Sequence, residues 1–311
     1  MNKKISIVVA CYQDELAIPE MHKRITNAIN EVIIDYEIIF VNDGSTDNTE
    51  EFLYNICRED KKVTAIFHSR NFGLQNAFTS GMNQSVGDAV ILLDGDMQDP
   101  PELIPTLVSK WLEGYDVVYG QRVSRDAPAI MNFAYKAFYR IFNKISSINI
   151  PLDAGDFSLM DKKVVHSINS LKETDRFIRG LRAWVGFKQI GIPYKRDRRK
   201  YGRSNFSILG NVRWAKKGIF SFTFFPLEFI SYVSYFLFIV SILGIIFNII
   251  YYLFGPEAPR GIYAIIVLIL FLCSMNLLFL SILSEYIFKI LEESKGRPQY
   301  IIKKIINNNK I

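Results

Sequence analysis

Ala89-Val90-Ile91-Leu92-Leu93-Asp94-Gly95-Asp96-Met97-Gln98-Asp99 is the stretch on which the reading of this chain turns. An apolar run of strand length ends in two carboxylates one residue apart, followed by an amide. Side chains alternate across a strand, so Asp94 and Asp96 can leave its end in the same direction. Two hard oxygen ligands on one face suit Mg²⁺ or Mn²⁺, which keep open positions for the oxygens of a phosphate-bearing substrate. In isolation an Asp-x-Asp is more simply an acidic turn. Its surroundings reverse that reading.

Strand patterns over 5–10, 37–42, 63–68, 89–94 and 116–120 alternate with helical patterns over 16–32, 47–58, 74–85 and 101–113. Asn48 or Ser45 is placed to cap the second helix, and Pro101 suits a first helical turn. Such alternation predicts an α/β fold, a parallel sheet with helices on both faces. Ligands of these sheets bind beyond the carboxyl ends of the strands. Asp43 follows the second strand and Asp94–Asp96 end the fourth, so all three fall on that rim. No Gly-x-Gly-x-x-Gly follows the first strand and no Gly-x-x-x-x-Gly-Lys-Ser/Thr occurs, which removes the main support for dinucleotide and P-loop readings.

At 311 residues the chain has room for one large or two ordinary domains. Its apolar residues are unevenly spread: neither 229–254 nor 262–284 contains a charged residue. Each run exceeds the ~20 residues that a helix needs to cross the hydrocarbon core. Joined by Gly255-Pro256-Glu257-Ala258-Pro259-Arg260-Gly261, they read as a membrane hairpin. The spans lack the ionisable groups of a transport path, and their faces are free to pack on other hairpins in a homo-oligomer. Lys216 and Lys217 precede the first span; Lys289, Lys295, Arg297, Lys303 and Lys304 follow the second; the loop carries only Arg260. That bias predicts both termini in the cytoplasm, with 289–311 a basic tail.

The N-terminal Met1-Asn2-Lys3-Lys4 and its apolar run mimic a signal peptide, but the run is short, Asp14-Glu15 follows, and no small-residue cleavage site is present, so it reads as a first strand. Cys11, Cys57 and Cys273 fit neither a disulfide framework nor a zinc site. A formal charge of +6 suits anionic lipid or phosphate but is too small to point to nucleic acid, and none is expected. Two further segments have membrane-facing character. Over 130–145 an apolar surface lies beside Lys136, Arg140 and Lys144 at every fourth position, and 206–225 mixes Arg213, Lys216 and Lys217 with Trp214, Phe220, Phe222 and Phe224. Each reads equally as an interfacial helix or as a packed helix with a solvated face.

Val41-Asn42-Asp43-Gly44-Ser45-Thr46-Asp47, together with Asp94-Gly95-Asp96-Met97-Gln98-Asp99-Pro100-Pro101, resembles the family 2 glycosyltransferases of the GT-A fold. The closer likeness is to the polyisoprenyl-phosphate branch, the bactoprenol glucosyltransferases and dolichol-phosphate mannose synthases. Ser69-Arg70-Asn71-Phe72-Gly73, Phe138-Tyr139-Arg140, Asp153-Ala154-Gly155-Asp156-Phe157-Ser158-Leu159-Met160, Phe177-Ile178-Arg179-Gly180-Leu181, Trp184-Val185-Gly186 and Ile219-Phe220-Ser221-Phe222 follow in the right order, so the likeness covers nearly the whole chain. It implies a cytoplasmic GT-A domain over 1–205, juxtamembrane amphipathic helices over 206–228 and two transmembrane helices within 229–288, in a bacterial plasma membrane.

The resemblance also implies individual roles. Ala10, Tyr12 and Asp14 would lie beside the nucleotide, and Asp43 would contact its base. Asp94 and Gly95 would approach the sugar nucleotide, while Asp96 and Gln98 would hold Mg²⁺ or Mn²⁺. Asp156 matches the carboxylate proposed as catalytic base, although a turn carboxylate after Gly155 is its plainer reading. Arg122, with Lys136 and Arg140, would gather the acceptor phosphate, and Arg199 would meet the donor diphosphate. Ala10 stands where the family often has Pro. Asn205 stands where the pattern Arg199-x-x-Gly202-x-Ser204 continues with Lys, so that lysine's role cannot be carried over.

The implied reaction is inverting transfer of a hexose, glucose first, from a nucleotide-diphosphate sugar, UDP-linked first, to undecaprenyl (polyisoprenyl) phosphate. The product would be a lipid-linked sugar for cell-surface glycan such as O-antigen. A processive polysaccharide synthase would need a Gln-x-x-Arg-Trp motif, of which Arg179-Gly180-Leu181-Arg182-Ala183-Trp184 is a loose echo, and enough helices for a channel. A non-enzymatic nucleotide-sugar-binding scaffold is disfavoured by the acidic ligand set.

Overall fold

The computed structural model describes residues 3–123, 154–197, 223, 225–254 and 262–307. They form two compact units, one of 3–123, 154–197 and 297–307, the other of 223, 225–254 and 262–296. Among the predicted features, the stripe at 130–145 with Lys136 and Arg140, Arg199, Asn205 and the loop 255–261 lie outside the described residues.

In the first unit Lys4–Cys11 (β1), Ile18–Asn30 (α1), Asp35–Asn42 (β2), Thr49–Glu59 (α2), Val63–His68 (β3), Leu74–Gln84 (α3) and Ala89–Asp94 (β4) alternate as the sequence pattern predicts. Then come a 3₁₀ turn opened by Pro101, Ile104–Leu112 (α4), Val117–Arg122 (β5), Ala154–Asp161 (β6), Lys162–Ser170 (α5), Ile178–Trp184 (α6), Gln189–Tyr194 (β7) and, after the second unit, Ile302–Ile306 (β8). The sheet order is β7-β5-β6-β4-β1-β2-β3-β8. Its centre, β4-β1-β2-β3, is parallel. Both faces of β1 and β4 are covered, which is why their sequences are apolar runs without alternation. On one face Ile7, Val9, Ile91 and Leu93 join Ile18, Met21 and Ile25 of α1 in the main core. On the other, α3 packs so closely that a Cβ at Gly81 would come within 2.2 Å of Val8 Cγ1. Helix α1 buries Ile18, Met21, Ile25, Ala28 and Ile29, one stripe at helical spacing, and its larger side chains contribute about 1.5–3 kcal/mol each on burial.

The register builds the site. Ala10 lies opposite both Val41 and Asp94, and Cys11 opposite Asn42, so β1, β2 and β4 end in one row. Strand β6 runs antiparallel to β4, pairing Leu92 with Ser158 and Ala89 with Asp161. Its beginning, Ala154-Gly155-Asp156, therefore reaches the rim where β4 finishes. Strand β5 pairs Gln121 with Ala154 and Arg122 with Tyr194, bringing the ends of β5 and β7 to the same rim.

Three strands are unmarked by the sequence pattern. Strand β7 contains Gly191 and Pro193, which argue against a central strand; it lies at the sheet's edge, where proline is tolerated. Strand β6 was visible only as a family signature. Strand β8 lies within the stretch read as a basic tail over 289–311. The second long helix runs on to Ser294, and Ile302–Ile306 pairs antiparallel with β3. Lys303 lies 3.9 Å from Glu50, and Lys304 hydrogen-bonds Tyr54. Asn48 occupies the cap position of α2 without a side-chain cap bond; Asp47 instead accepts from Thr49 N at 3.2 Å.

The second unit contains two long helices, Phe225–Phe254 and Ile262–Ser294. Within them Phe225–Gly244 and Phe271–Ser294 are long and apolar enough to cross a membrane. The helices extend beyond the charge-free runs at 229–254 and 262–284, the second continuing past Glu285.

Candidate active site

The turn after β4 is shaped by its neighbours. Gly95 N donates to Ala10 O at 2.9 Å, and a Cβ at Gly95 would lie 2.8 Å from that oxygen and 3.0 Å from Asp14 Oδ2. Only glycine fits between the two aspartates. Met97, buried, takes φ +62°, a costly conformation for a side chain of its size. Gln98 N donates to Asp96 Oδ1 at 3.1 Å and closes the turn.

This turn forms one wall of an open cleft of about 370 Å³. Ala10, Tyr12, Asp14, Asp43, Asp94 and Gly95, the described residues predicted to bind a donor, all line it, as do Asp96 and Gln98, the predicted metal ligands. Arg122 and Asp156 stand on the same rim but outside this lining. Arg196, which the sequence reading did not single out, joins the lining.

Arg196 lies amid the acidic cluster. Its Nη2 is 3.6 Å from Asp94 Oδ2 and 3.8 Å from Asp96 Oδ2, and its Nε donates to Asp99 Oδ1 at 3.3 Å. Asp99, 1% exposed, also accepts from the Tyr194 hydroxyl and lies 3.9 Å from Arg122 Nη2. Burial, reinforced by Asp99, Asp96 and Asp156, holds the Asp94 carboxyl well above the usual carboxylate range, and Arg196 offsets only part of this. Asp94 Oδ1 and Asp99 Oδ2 are buried without a hydrogen-bond partner. Buried carboxyl oxygens without a partner, in a cluster whose charge destabilises itself, are what a divalent ion would satisfy. Among the described residues no three acidic, His or Cys side chains form a closed metal cage. Two carboxylates and an amide, Asp94, Asp96 and Gln98, are hard oxygen donors of the kind that suit an ion completing its shell with substrate oxygens.

Asp43 stands at the end of β2, 3% exposed. Its Oδ1 accepts from Phe72 N at 2.9 Å and lies 2.8 Å from His68 Nδ1, and its Oδ2 accepts from Gly73 N at 2.7 Å. Much of its accepting capacity is thus spent on shaping the loop after β3. The adjoining Gly44 has φ +70°, and a Cβ there would lie 2.4 Å from the Arg70 carbonyl carbon. Asp14 Oδ2 accepts from Tyr12 N at 3.0 Å and fixes the turn after β1.

Comparison with known proteins shows the family. The glycosyl transferase family 2 profile matches residues 6–168. The chain is 39% identical to an uncharacterized glycosyltransferase, YkcC, of Bacillus subtilis, over 96% of this chain and 93% of that one. It is 38% identical to the SfII prophage-derived bactoprenol glucosyl transferase of Shigella flexneri, over 98% and 99% of the two chains. The chain belongs to glycosyl transferase family 2. Glucosyl-3-phosphoglycerate synthase from Mycobacterium tuberculosis, solved with Mn²⁺, UDP-glucose and phosphoglyceric acid, overlaps 70% of this glycosyltransferase and 77% of its own chain, at a TM-score of 0.48 and 18% identity.

In this glycosyltransferase Asp156 is 3% exposed and grips Arg179 through two bonds, Nε to Oδ1 at 3.0 Å and Nη2 to Oδ2 at 3.1 Å. Gln75 Nε2 adds a third at 3.2 Å, while Gln75 Oε1 accepts from Ile178 N at 2.7 Å, tying α3 to α6. Burial alone would raise the Asp156 carboxyl, but the charges of Arg179, Arg182 and Arg122 hold it below the usual range. Such a carboxylate stays ionised and is a poor proton acceptor. Arg182 sits fully buried behind it, and burial pushes its pKa down to about 10. For Arg122, burial opposes the charge, but Asp99 and Tyr194 outweigh it and raise the pKa.

Arg196, Asp99, Tyr194, Arg179 and Gln75 are the site residues that sequence reasoning passed over or left unassigned. Arg196 sits in the run Lys195-Arg196-Asp197-Arg198-Arg199-Lys200, where nothing in the pattern separates one cation from the next. For Asp99 the available signal was its place in the Asp94–Asp99 stretch.

Proposed function

We propose that this protein transfers a hexose, glucose first, from a UDP-linked donor to a polyisoprenyl phosphate, with inversion, at the cytoplasmic face of the bacterial plasma membrane. The observation that carries the reading is the convergence of Asp94 and Asp96 on one cation position in the cleft, beside buried oxygens with no partner. The relatives named bactoprenol glucosyl transferase support glucose and a lipid-phosphate acceptor, and the two apolar helices support a membrane-borne acceptor.

In this reading Asp94, Asp96 and Gln98 would hold Mg²⁺ or Mn²⁺, which as a Lewis acid would neutralise charge on the departing nucleoside diphosphate. Ala10, Tyr12, Asp14 and Gly95 line the donor's side of the cleft. Asp43 holds the loop after β3 and would contact the base from the cleft lining. Arg196 would add a planar fork suited to phosphate, as would Arg199. Arg122, with Lys136 and Arg140, would gather the acceptor. A phosphate monoester has a second pKa of about 6, so the acceptor is already mostly dianionic at neutral pH and needs no base. Asp156 then orients Arg179 and shapes the field at the reacting carbon.

Membranes carrying the protein are incubated with a panel of radiolabelled sugar nucleotides, undecaprenyl phosphate and Mg²⁺ or Mn²⁺, and the lipid product is identified by mass spectrometry. Label from UDP-glucose in an organic-extractable monophosphate-linked lipid is expected. Label in long polymer, or no transfer from any donor, refutes the reading.

A further inference from the structure

Arg196 lies beside Asp94 and Asp96, the carboxylates read above as holding a divalent cation, without hydrogen-bonding either. Its Nη2 is 3.6 Å from Asp94 Oδ2 and 3.8 Å from Asp96 Oδ2, beyond hydrogen-bonding length, so it lends charge without occupying the oxygens' coordination directions. Its one hydrogen bond within the cluster runs from Nε to Asp99 Oδ1, 3.3 Å long. The backbone beneath is firmer: Asp197 N donates to Gln98 O at 3.0 Å, and Gln98 Nε2 donates to Asp197 O at 3.3 Å. The segment after β7 is thus fastened to the Asp94–Asp99 turn at Asp197, next to a guanidinium only loosely held at its tip. Asp99 Oδ2 is buried without a hydrogen-bond partner even with Arg196 in place.

We propose that Arg196 is a built-in counter-cation. It neutralises the Asp94–Asp96–Asp99 cluster whenever no metal is bound, competes there with the divalent metal, and turns on its Asp99 bond towards a diphosphate when one arrives. This inference rests on the metal-binding reading of Proposed function. The repulsion is simple: a guanidinium within 4 Å of both carboxylates opposes a dication at the same oxygens. A diphosphate reverses the balance, because its oxygens complete the metal's shell and offer the guanidinium a bidentate partner. Metal and donor then bind as a pair, and metal alone binds weakly. A cluster that admitted Mg²⁺ or Mn²⁺ freely would give the ion no preference for a site already holding donor.

The test measures Mn²⁺ binding to the full-length protein in detergent, from loss of the free-ion electron paramagnetic resonance signal, with and without UDP. Wild type, Arg196→Gln and Arg196→Lys are compared. Without nucleotide, Arg196→Gln is expected to bind Mn²⁺ about tenfold more tightly than wild type, with Arg196→Lys close to wild type. UDP is expected to tighten Mn²⁺ binding strongly in wild type and much less in Arg196→Gln. Equal Mn²⁺ affinity of wild type and Arg196→Gln without nucleotide overturns the proposal, as does an equal gain from UDP in both, while the metal-binding reading stands. No Mn²⁺ binding by any of the three proteins, even with UDP, sinks that reading and the proposal with it.

Discussion

Replacing Arg179 by Met removes the guanidinium that holds Asp156 and leaves a carboxylate with 3% exposure facing its neighbours without its main partner. Breaking a buried pair from one side costs about 3–5 kcal/mol, because the remaining charge is uncompensated. The Gln75 amide at 3.2 Å and the charge of Arg182 stay in place, which puts the cost near the lower end, about 3 kcal/mol. At about 2–4 °C per kcal/mol for a domain of this size, Arg179→Met melts roughly 6–12 °C below wild type. The penalty also has a sign in pH. In wild type the folded carboxyl lies below its unfolded value, so its contribution is present above about pH 4 and is lost as pH falls through the folded pKa. Without Arg179, burial dominates and the folded pKa rises; the folded state then holds its proton longer than the unfolded one, and stability falls as pH rises from about 4 towards 7. Adding Asp156→Asn to Arg179→Met removes the stranded charge and should recover at least half of the loss. The assay is heat unfolding of the full-length protein in detergent, followed by near-ultraviolet circular dichroism at several pH values. A single variant melting within about 2 °C of wild type, or a double variant melting no higher than the single, refutes the account of Asp156 as a charge held by Arg179.

Asp96→Asn should lower transfer by about a hundredfold, the loss of about 2.7 kcal/mol of transition-state stabilisation, seen in initial rates with saturating donor. Asp156→Asn should be slower than wild type by the same factor at pH 7 and pH 9; recovery at high pH would show that the acceptor had needed a base. Gly44→Ala, which needs φ +70° and a Cβ 2.4 Å from the Arg70 carbonyl carbon, should cost about 1–3 kcal/mol in a denaturant titration and raise the donor KM.

The parts of the site that could be read in advance are those announced by local order. Asp94 and Asp96 close an apolar strand and Asp43 closes another, so the period of the sequence alone put them on one rim. Their partners are fixed only by the sheet. Tyr194 reaches Asp99 across 95 positions of sequence, and Arg179 reaches Asp156 because β6 runs backwards beside β4, which no local pattern encodes. Arg196 was hidden differently, as one cation in a basic run whose members differ only in where the backbone after β7 sets them down. The edge strands were unreadable because their marks were contrary: Pro193 in one, paired lysines in the other.

Strand β8 carries a consequence for how the protein is made. Its partner β3 emerges early, yet Ile306 pairs with Ala65 only after both long helices have been synthesised. Until then a row of amide and carbonyl groups along β3 stands open to any passing strand. A ribosome that halts after the helices but before Ile302 would release a polypeptide with both long helices complete and one seam of its sheet unstitched. Aggregation of such truncated products is the failure that this topology invites.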